Sequence, residues 1–282
     1  MAARRILVVE GNTRTASAEL ARFGVRPYGE SYAAVLRELS PGVECTVVDP
    51  CERGPECLPT NASLDAFDGV VWTGSALNVY DVNDAIRNQL ALADKVLKAG
   101  MPVFGSCWGL QVFATALGGK VRKSPKGREI GIARGITLTE AGRAHPMYAD
   151  KPSPFEALAV HMDDVERLPE GAVVLATNAM SDVQAMAYER NGVSFWGVQY
   201  HPEFNFATIA AAYRRNAARL VKEGICPSEA TATQIAEDLA RLESVDGTNG
   251  ATSTNCRATR GVLDPTLRRQ ELLNWFGSLA NS

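Results

Sequence analysis

Gly105-Ser106-Cys107-Trp108-Gly109-Leu110-Gln111 joins an apolar run, Met101 to Gly105, to the helical stretch Leu110 to Leu117. A cysteine so placed stands where a strand stops and a helix starts. The glycines beside it permit a sharp, strained turn, and the helix that follows aims its free backbone N–H groups and positive dipole end at the sulfur. That setting favours thiolate over thiol. A buried cysteine acting only as a small hydrophobe is the bland alternative. The paired glycines weigh against it, and the strand–turn–helix reading makes the segment a nucleophile elbow in an α/β sheet.

A nucleophilic cysteine needs a base, and the chain offers three histidines: His145, His161 and His201. His201 closes the run Gly192 to Tyr200, which alternates like a strand, and Pro202 and Glu203 follow it. Proline ends the strand, and a carboxylate two residues past the imidazole can turn back to hold the ring in one tautomer. The sequence therefore supplies a Cys107/His201/Glu203 set. His145 precedes a proline in a loop and reads as solvated; His161 ends a strand of its own, Ala157 to His161.

Outward from the elbow the chain alternates strand and helix. Ile6 to Val9 is a continuous apolar run, the pattern of a strand buried on both faces of a parallel sheet. Gly11-Asn12 breaks it, and no G-x-G-x-x-G follows, so a dinucleotide cofactor is not indicated. Gly24, Pro27 and Gly29 predict an irregular stretch from Thr15 to Tyr28, followed by a helix over Ser31 to Leu39 and a strand over Glu44 to Val48. Cys51 to Ser63 reads as loop. Phe67 to Trp72 returns to the sheet and ends in Thr73-Gly74-Ser75, a turn on the same carboxyl edge as the cysteine elbow, where open α/β sheets bind their ligands. Val82 to Ala99 is an amphipathic helix capped by Gly100. Beyond the elbow, Lys120 to Arg122 and Ile130 to Leu138 suggest paired strands around a charged, mobile segment, Lys123 to Glu129. Val173 to Thr177 and Gln184 to Tyr188 are two more strands, and Ala207 to Glu223 a helix. Ser228 to Leu242 is helical, Asp246 to Thr254 a polar linker, and Asp264-Pro265 opens a last helix through Leu272, Trp275 and Phe276. That apolar helix either folds back on its own domain or makes a homodimer contact.

The 282 residues are 46% hydrophobic, enough for a substantial core, with a net charge of −3. No basic stripe suggests nucleic acid, and no run of about 18 apolar residues suggests a membrane span. The first strand begins at once after Arg4-Arg5, without a signal-peptide apolar region, so a cytoplasmic location with reduced thiols is expected. Cys51 and Cys57 flank a Gly/Pro loop without zinc-type pairing, so no metal site is read there. The expected partner is a small molecule.

The elbow, the run Gly197-Val198-Gln199-Tyr200-His201-Pro202-Glu203-Phe204 and the turn Val71-Trp72-Thr73-Gly74-Ser75 resemble class I (triad-type) glutamine amidotransferase domains. The likeness is nearest to stand-alone members related to the glutaminase domain of GMP synthetase. It implies a flavodoxin-like fold over residues 1–224: an open, mostly parallel sheet with helices on both faces. Residues 225–282 then form a helical C-terminal extension. It also implies hydrolysis of a γ-glutamyl amide through a thioester on Cys107, with His201 as base and Glu203 orienting it. Backbone N–H groups of Trp108 and of Ser75, beside Gly74, would hold the oxyanion, and Gln111 would contact the substrate. No cofactor or metal is implied. Where the family usually reads Ser-His-Gly, this chain has Val160-His161-Met162, so backbone contacts to the substrate can persist while the side-chain pocket differs. Three readings stay open: a stand-alone γ-glutamyl hydrolase, a glutaminase subunit passing ammonia to a separate synthase, and a non-catalytic protein of the same fold.

Overall fold

The computed structural model describes residues 3–243 and 257–279. The predicted Asp246–Thr254 linker and Cys256 lie outside them. In chain order, β1 (Arg5–Val9) leads to α1 (Arg14–Ala21), α2 (Tyr28–Leu39), β2 (Glu44–Val48), a short α3 (Pro50–Arg53), β3 (Gly69–Trp72), α4 (Asp84–Lys98), β4 (Val103–Ser106) and α5 (Trp108–Ala116). Next come β5 (Lys120–Lys123), β6 (Glu129–Leu138), α6 (Glu140–Ala144), β7 (Phe155–His161), β8 (Asp163–Arg167), β9 (Val173–Thr177), β10 (Ala185–Arg190) and β11 (Val193–Val198). The last elements are α7 (Phe206–Lys222), α8 (Glu229–Leu242), α9 (Arg260–Leu263), α10 (Pro265–Arg268) and α11 (Gln270–Ser278).

Nine strands form one α/β sheet in the order β2-β1-β3-β4-β11-β10-β9-β6-β7. β2, β1, β3, β4 and β11 run parallel, and the strands beyond β11 pair antiparallel. The alternation of β1 fixes the layers. Ile6 and Val8 face Tyr32 and Leu36 of α2 and Trp275 of α11, whereas Leu7 and Val9 join the cluster of Ile86 and Leu92 from α4 and Phe113 from α5. Each fully buried Leu, Ile or Phe contributes about 1.5–3 kcal/mol of transfer free energy to holding those layers on the sheet. A third cluster joins α7 and α8 to Leu158 of β7. No helix of the described residues is long and apolar enough to cross a membrane.

Two local expectations are corrected. Residues 14–21 are helical, capped by Thr13 Oγ1, which accepts the Ala16 N–H at 3.2 Å. Gly24, at φ +78°, lies beyond the end of that helix instead of preventing it. Lys120–Lys123 pairs not with Ile130 to Leu138 but antiparallel with β8, a strand the sequence did not announce, while β6 lies between β9 and β7. Here a non-local contact overrides the hairpin that proximity in sequence suggests.

Of the two placements open to the last helix, α11 takes its own sheet. Trp275 packs on Phe104 of β4 with ring centroids 5.9 Å apart, and a Cβ on Gly69 would come within 3.0 Å of its ring. Glu271, fully buried, accepts the Tyr200 hydroxyl at 2.5 Å and the Lys151 ammonium at 2.9 Å. The apolar face of α11 is thereby used within the chain.

Candidate active site

Strand order brings the elbow and the His201 run together. β4 and β11 are parallel neighbours with Ser106 opposite Val198, so the residues just past each strand emerge side by side. The Cys107 N–H donates to Val198 O at 2.7 Å. Cys107 itself has φ +51° and ψ −96°, a backbone region that L residues occupy only under constraint. The flanking glycines supply that constraint. A Cβ on Gly105 would lie 2.7 Å from the Gly109 carbonyl carbon, and one on Gly109 would lie 2.6 Å from Trp72 O.

His201 is held from three directions. Its backbone N–H donates to Leu158 O at 2.8 Å, its ring stacks on Phe204 at 3.8 Å, and Nδ1 lies 2.8 Å from Glu203 Oε1. Nε2 is buried and has no hydrogen-bond partner among the described residues. The ring is thus fixed through one nitrogen with the other left over, the arrangement a general base needs.

The thiolate expectation is corrected. Burial pushes the Cys107 thiol well above its usual range, helped by the charges of Glu203 and Asp163. The Trp108 N–H and the Gln199 amide oppose this and favour the thiolate, so the helix N-terminus acts as expected but desolvation outweighs it.

Cys107 opens into a cavity of about 250 Å³ lined by Ser75, Gln111, His161 and Asp163 among others. The turn beneath Ser75 is pinned by residues from the other side of the topological switch between β1 and β3. Asn12 Oδ1 accepts the Ala76 N–H at 2.9 Å and lies 3.3 Å from Ser75 Oγ, and the Gly11 N–H donates to Thr73 Oγ1 at 2.8 Å. Gln111 Nε2 donates to Asp163 O and to Gln199 Oε1, each at 3.3 Å. The His161 ring lines the cavity, but both nitrogens face acceptors: Nδ1 is 3.1 Å from Asp163 O and Nε2 is 2.9 Å from Glu129 Oε2. Its polar atoms are therefore occupied within the protein. His145 is not solvated: its ring packs edge-on against Trp196 at 4.8 Å, Nδ1 accepts the Met147 N–H, and burial lowers its pKa.

Several cavity residues escaped the sequence reading. Asp163, with a pKa raised by burial, accepts the Tyr80 hydroxyl at 2.9 Å. Tyr28 lines the cavity and packs at 5.0 Å on Phe204, the ring that stacks on His201. Arg128, expected in a mobile segment, instead lies against Glu223 through two hydrogen bonds of 2.8 and 3.1 Å. Arg215 and Arg219 reach the cavity from α7. The signal was present for the last two: Ala212, Arg215, Asn216 and Arg219 fall at i, i+3, i+4 and i+7, one helical face. Among the described residues no cluster of His, Cys, Asp and Glu has the geometry to hold a metal ion.

Residues 28–219 match the family model described as glutamine amidotransferase class-I. The chain belongs to that family. Among curated relatives, a γ-glutamyl-L-1-hydroxyisopropylamide hydrolase from a Pseudomonas species is 36% identical over 225 residues, covering 78% of this chain and 74% of its own. A GMP synthase [glutamine-hydrolyzing] from Thermomicrobium roseum is 29% identical over 219 residues, 75% of this chain but 37% of the synthase. Gamma-glutamyl peptidase 5 of Arabidopsis thaliana is 30% identical over 149 residues, 52% of this chain and 58% of the peptidase. Among solved structures, a glutamine amidotransferase from Thermotoga maritima superposes with a TM-score of 0.67 at 17% identity over the full length of both chains, a likeness of fold. The family match thus spans the elbow, the His201 run and most of the cavity at Cys107.

Proposed function

We propose that this class I family member hydrolyses a γ-glutamyl amide bond through a glutamyl thioester on Cys107. One observation carries the reading: the strained cysteine, which opens into the cavity, and the Glu203-held imidazole, with its second nitrogen unpartnered among the described residues, follow the ends of adjacent parallel strands. As sulfur attacks the δ-carbon, the thiol proton passes to His201 Nε2. The C–N bond then breaks and the imidazolium returns that proton to the departing nitrogen. Water adds to the thioester, giving a proton to His201; the S–C bond breaks, Cys107 recovers its proton and glutamate leaves. Glu203 orients the ring and stabilises its protonated form.

The carbonyl oxygen becomes an oxyanion near the backbone N–H groups of Trp108 and Ser75, and a donor of this kind is worth about 10²–10³ in rate. Asn12 fixes the second donor by holding the Gly74-Ser75 turn. Gln111 and the Val160–Asp163 segment line the cavity at Cys107, and in this reading they contact the glutamyl head. The name of the Pseudomonas relative supports a γ-glutamyl amide as substrate class, and the five described cysteines, all free, suit a reducing cytoplasm.

A second reading has its own support, since the GMP synthase relatives join such a domain to further chain. In it, this protein is a glutaminase that delivers ammonia to a synthase partner. Incubation of the purified chain with glutamine and a panel of γ-glutamyl amides separates the two by released glutamate. Turnover without a partner, on the order of 1 per second or faster, supports the hydrolase. Silence until a synthase is added, with response to glutamine alone, supports the subunit.

A further inference from the structure

Helix α4 packs Ile86, Leu92, Ala93 and Val96 into the core against Leu7 and Val9 of β1, and one buried position on the same helix is an amide: Gln89, 0% exposed. A glutamine side chain offers two acceptor sites and two donors, and here all are used. Oε1 accepts the indole N–H groups of Trp72 at 3.0 Å and of Trp108 at 2.8 Å, while Nε2 donates to Gly11 O at 3.1 Å and to Cys51 Sγ at 3.1 Å. The indoles can only donate and the carbonyl can only accept, so the surroundings fix which end of the amide is which. An apolar side chain of the same length would fill much the same space, but it would leave two buried indoles and a carbonyl without partners.

The groups that Gln89 joins surround one place. Trp72 ends β3 and leads directly into the Thr73-Gly74-Ser75 turn, and Trp108 begins α5 directly after Cys107. These are the two segments whose backbone N–H groups, on Ser75 and Trp108, are assigned to the oxyanion. Gly11 is wedged between them: a Cβ there would lie 2.7 Å from Gly74 O and 2.8 Å from Trp108 Cδ1, and its N–H donates to Thr73 Oγ1 at 2.8 Å. One carbonyl oxygen thus anchors the segments that carry both donors, and the other end of the same amide holds the loop packed between them. Gln89 itself does not line the cavity at Cys107.

We infer that Gln89 is a positioning residue that sets the spacing of the two oxyanion donors and so promotes acylation of Cys107 without touching the substrate. The inference rests on the donors named in the reading above and adds what holds them at their separation. It distinguishes two reactions of one sulfur. Attack on a carbonyl carbon builds an oxyanion and draws on both donors. Displacement of iodide at a saturated carbon builds none.

The test measures both reactions on the wild-type chain and on Gln89→Met, which keeps the length of the side chain and removes its hydrogen bonds. p-Nitrophenyl acetate reports acylation: the Cys107 sulfur bonds to the carbonyl carbon, the thiol proton passes to His201, and the ester C–O bond breaks to release p-nitrophenolate, counted as the part absent from Cys107→Ala. Iodoacetamide, followed by peptide mass analysis at Cys107, reports alkylation. Acylation should fall about tenfold or more, a share of the roughly 10²–10³ that one donor is worth, while alkylation stays within about twofold. With a γ-glutamyl amide the variant should lose kcat at unchanged KM, the mark of an interaction made only in the transition state. Equal slowing of acylation and alkylation would reveal a general disturbance of the elbow and overturn the inference, as would undiminished acylation or a wild type without Cys107-dependent acylation. If Gln89→Met does not fold, Trp72→Phe, which deletes one of the bonds, is measured in the same way. Selective loss of acylation then upholds the inference, and unchanged or equally slowed reactions overturn it. A wild type that is acylated by the ester but cleaves no γ-glutamyl compound fails the γ-glutamyl reading alone, and the ratio of acylation to alkylation still decides the role of Gln89.

Discussion

A Cβ on Gly74 would stand 2.6 Å from Cε1 of His201. The turn after β3 and the imidazole after β11 therefore share a contact surface that leaves no room for a methyl group. Gly74→Ala should displace the ring from Cys107 and lower kcat/KM by about 100-fold or more, since displacements near 1 Å have that effect. Thermal unfolding should move by only a few degrees. A variant as active as the parent would mean that the turn does not hold the ring.

Cys107→Ser should abolish glutamate release while preserving the fold, because the thioester requires the sulfur. Intact-mass analysis after a brief incubation with a γ-glutamyl amide should find a glutamyl adduct on the wild type and none on the variant. An adduct on Cys45 or Cys226 instead would remove Cys107 from its role.

His201→Asn should remove nearly as much activity as loss of the cysteine, and Glu203→Gln distinctly less, because the members of a triad act as a unit and the orienting carboxylate is the least indispensable. The 2.8 Å contact between His201 Nδ1 and Glu203 is the interaction under test. Full activity in His201→Asn would transfer the base elsewhere.

Burial, with Glu203 and Asp163, pushes the Cys107 thiol up from its ordinary value. In the substrate-free protein, alkylation of this residue by iodoacetamide should therefore still be accelerating above pH 9. A plateau below pH 8 would reveal a preformed thiolate. The same shift has a stability consequence with a definite sign. The unfolded thiol ionises near 8.5 while the folded one stays neutral, so its contribution is whole below that pH and declines as pH rises. Cys107→Ser should flatten the alkaline fall in stability measured by denaturant unfolding.

Lys151 and Glu271 form an ion pair with side-chain exposures of 4% and 0%. Glu271→Gln leaves a buried ammonium uncompensated, which costs about 3–5 kcal/mol and should lower Tm on the order of 10 °C. Replacing both partners by apolar residues, Lys151→Met with Glu271→Leu, should recover part of that loss. An unchanged Tm in Glu271→Gln would show that the pair adds nothing.

The elbow was legible because its requirements are local: two glycines whose Cβ positions are filled by Gly109 and Trp72, and a cysteine between a strand and a helix. The parallel half of the sheet was legible through continuous apolar runs such as Ile6 to Val9. α1 was not, because Gly24 and Pro27 read equally as breakers within a helix and as punctuation after it. The partner of β5 was hidden for a different reason: Val121 meets Val165 across more than forty residues, and no local pattern encodes that pairing. Desolvation of Cys107 is likewise a property of everything packed around it. The helix dipole at the elbow can be read from seven residues, but the burial that outweighs it cannot.

The hydrogen bond from Tyr200 to Glu271 also has a consequence in time. A ribosome adding about 5–20 residues per second needs roughly 4–14 s to go from position 201 to position 271. During that interval the strand bearing His201 has been made, but its buried hydroxyl and the Lys151 ammonium lack the carboxylate that joins them, and the sheet face under Trp275 is uncovered. The nascent chain should therefore acquire its reactive centre late, after a window in which a chaperone or a neighbouring nascent chain can reach that bare face.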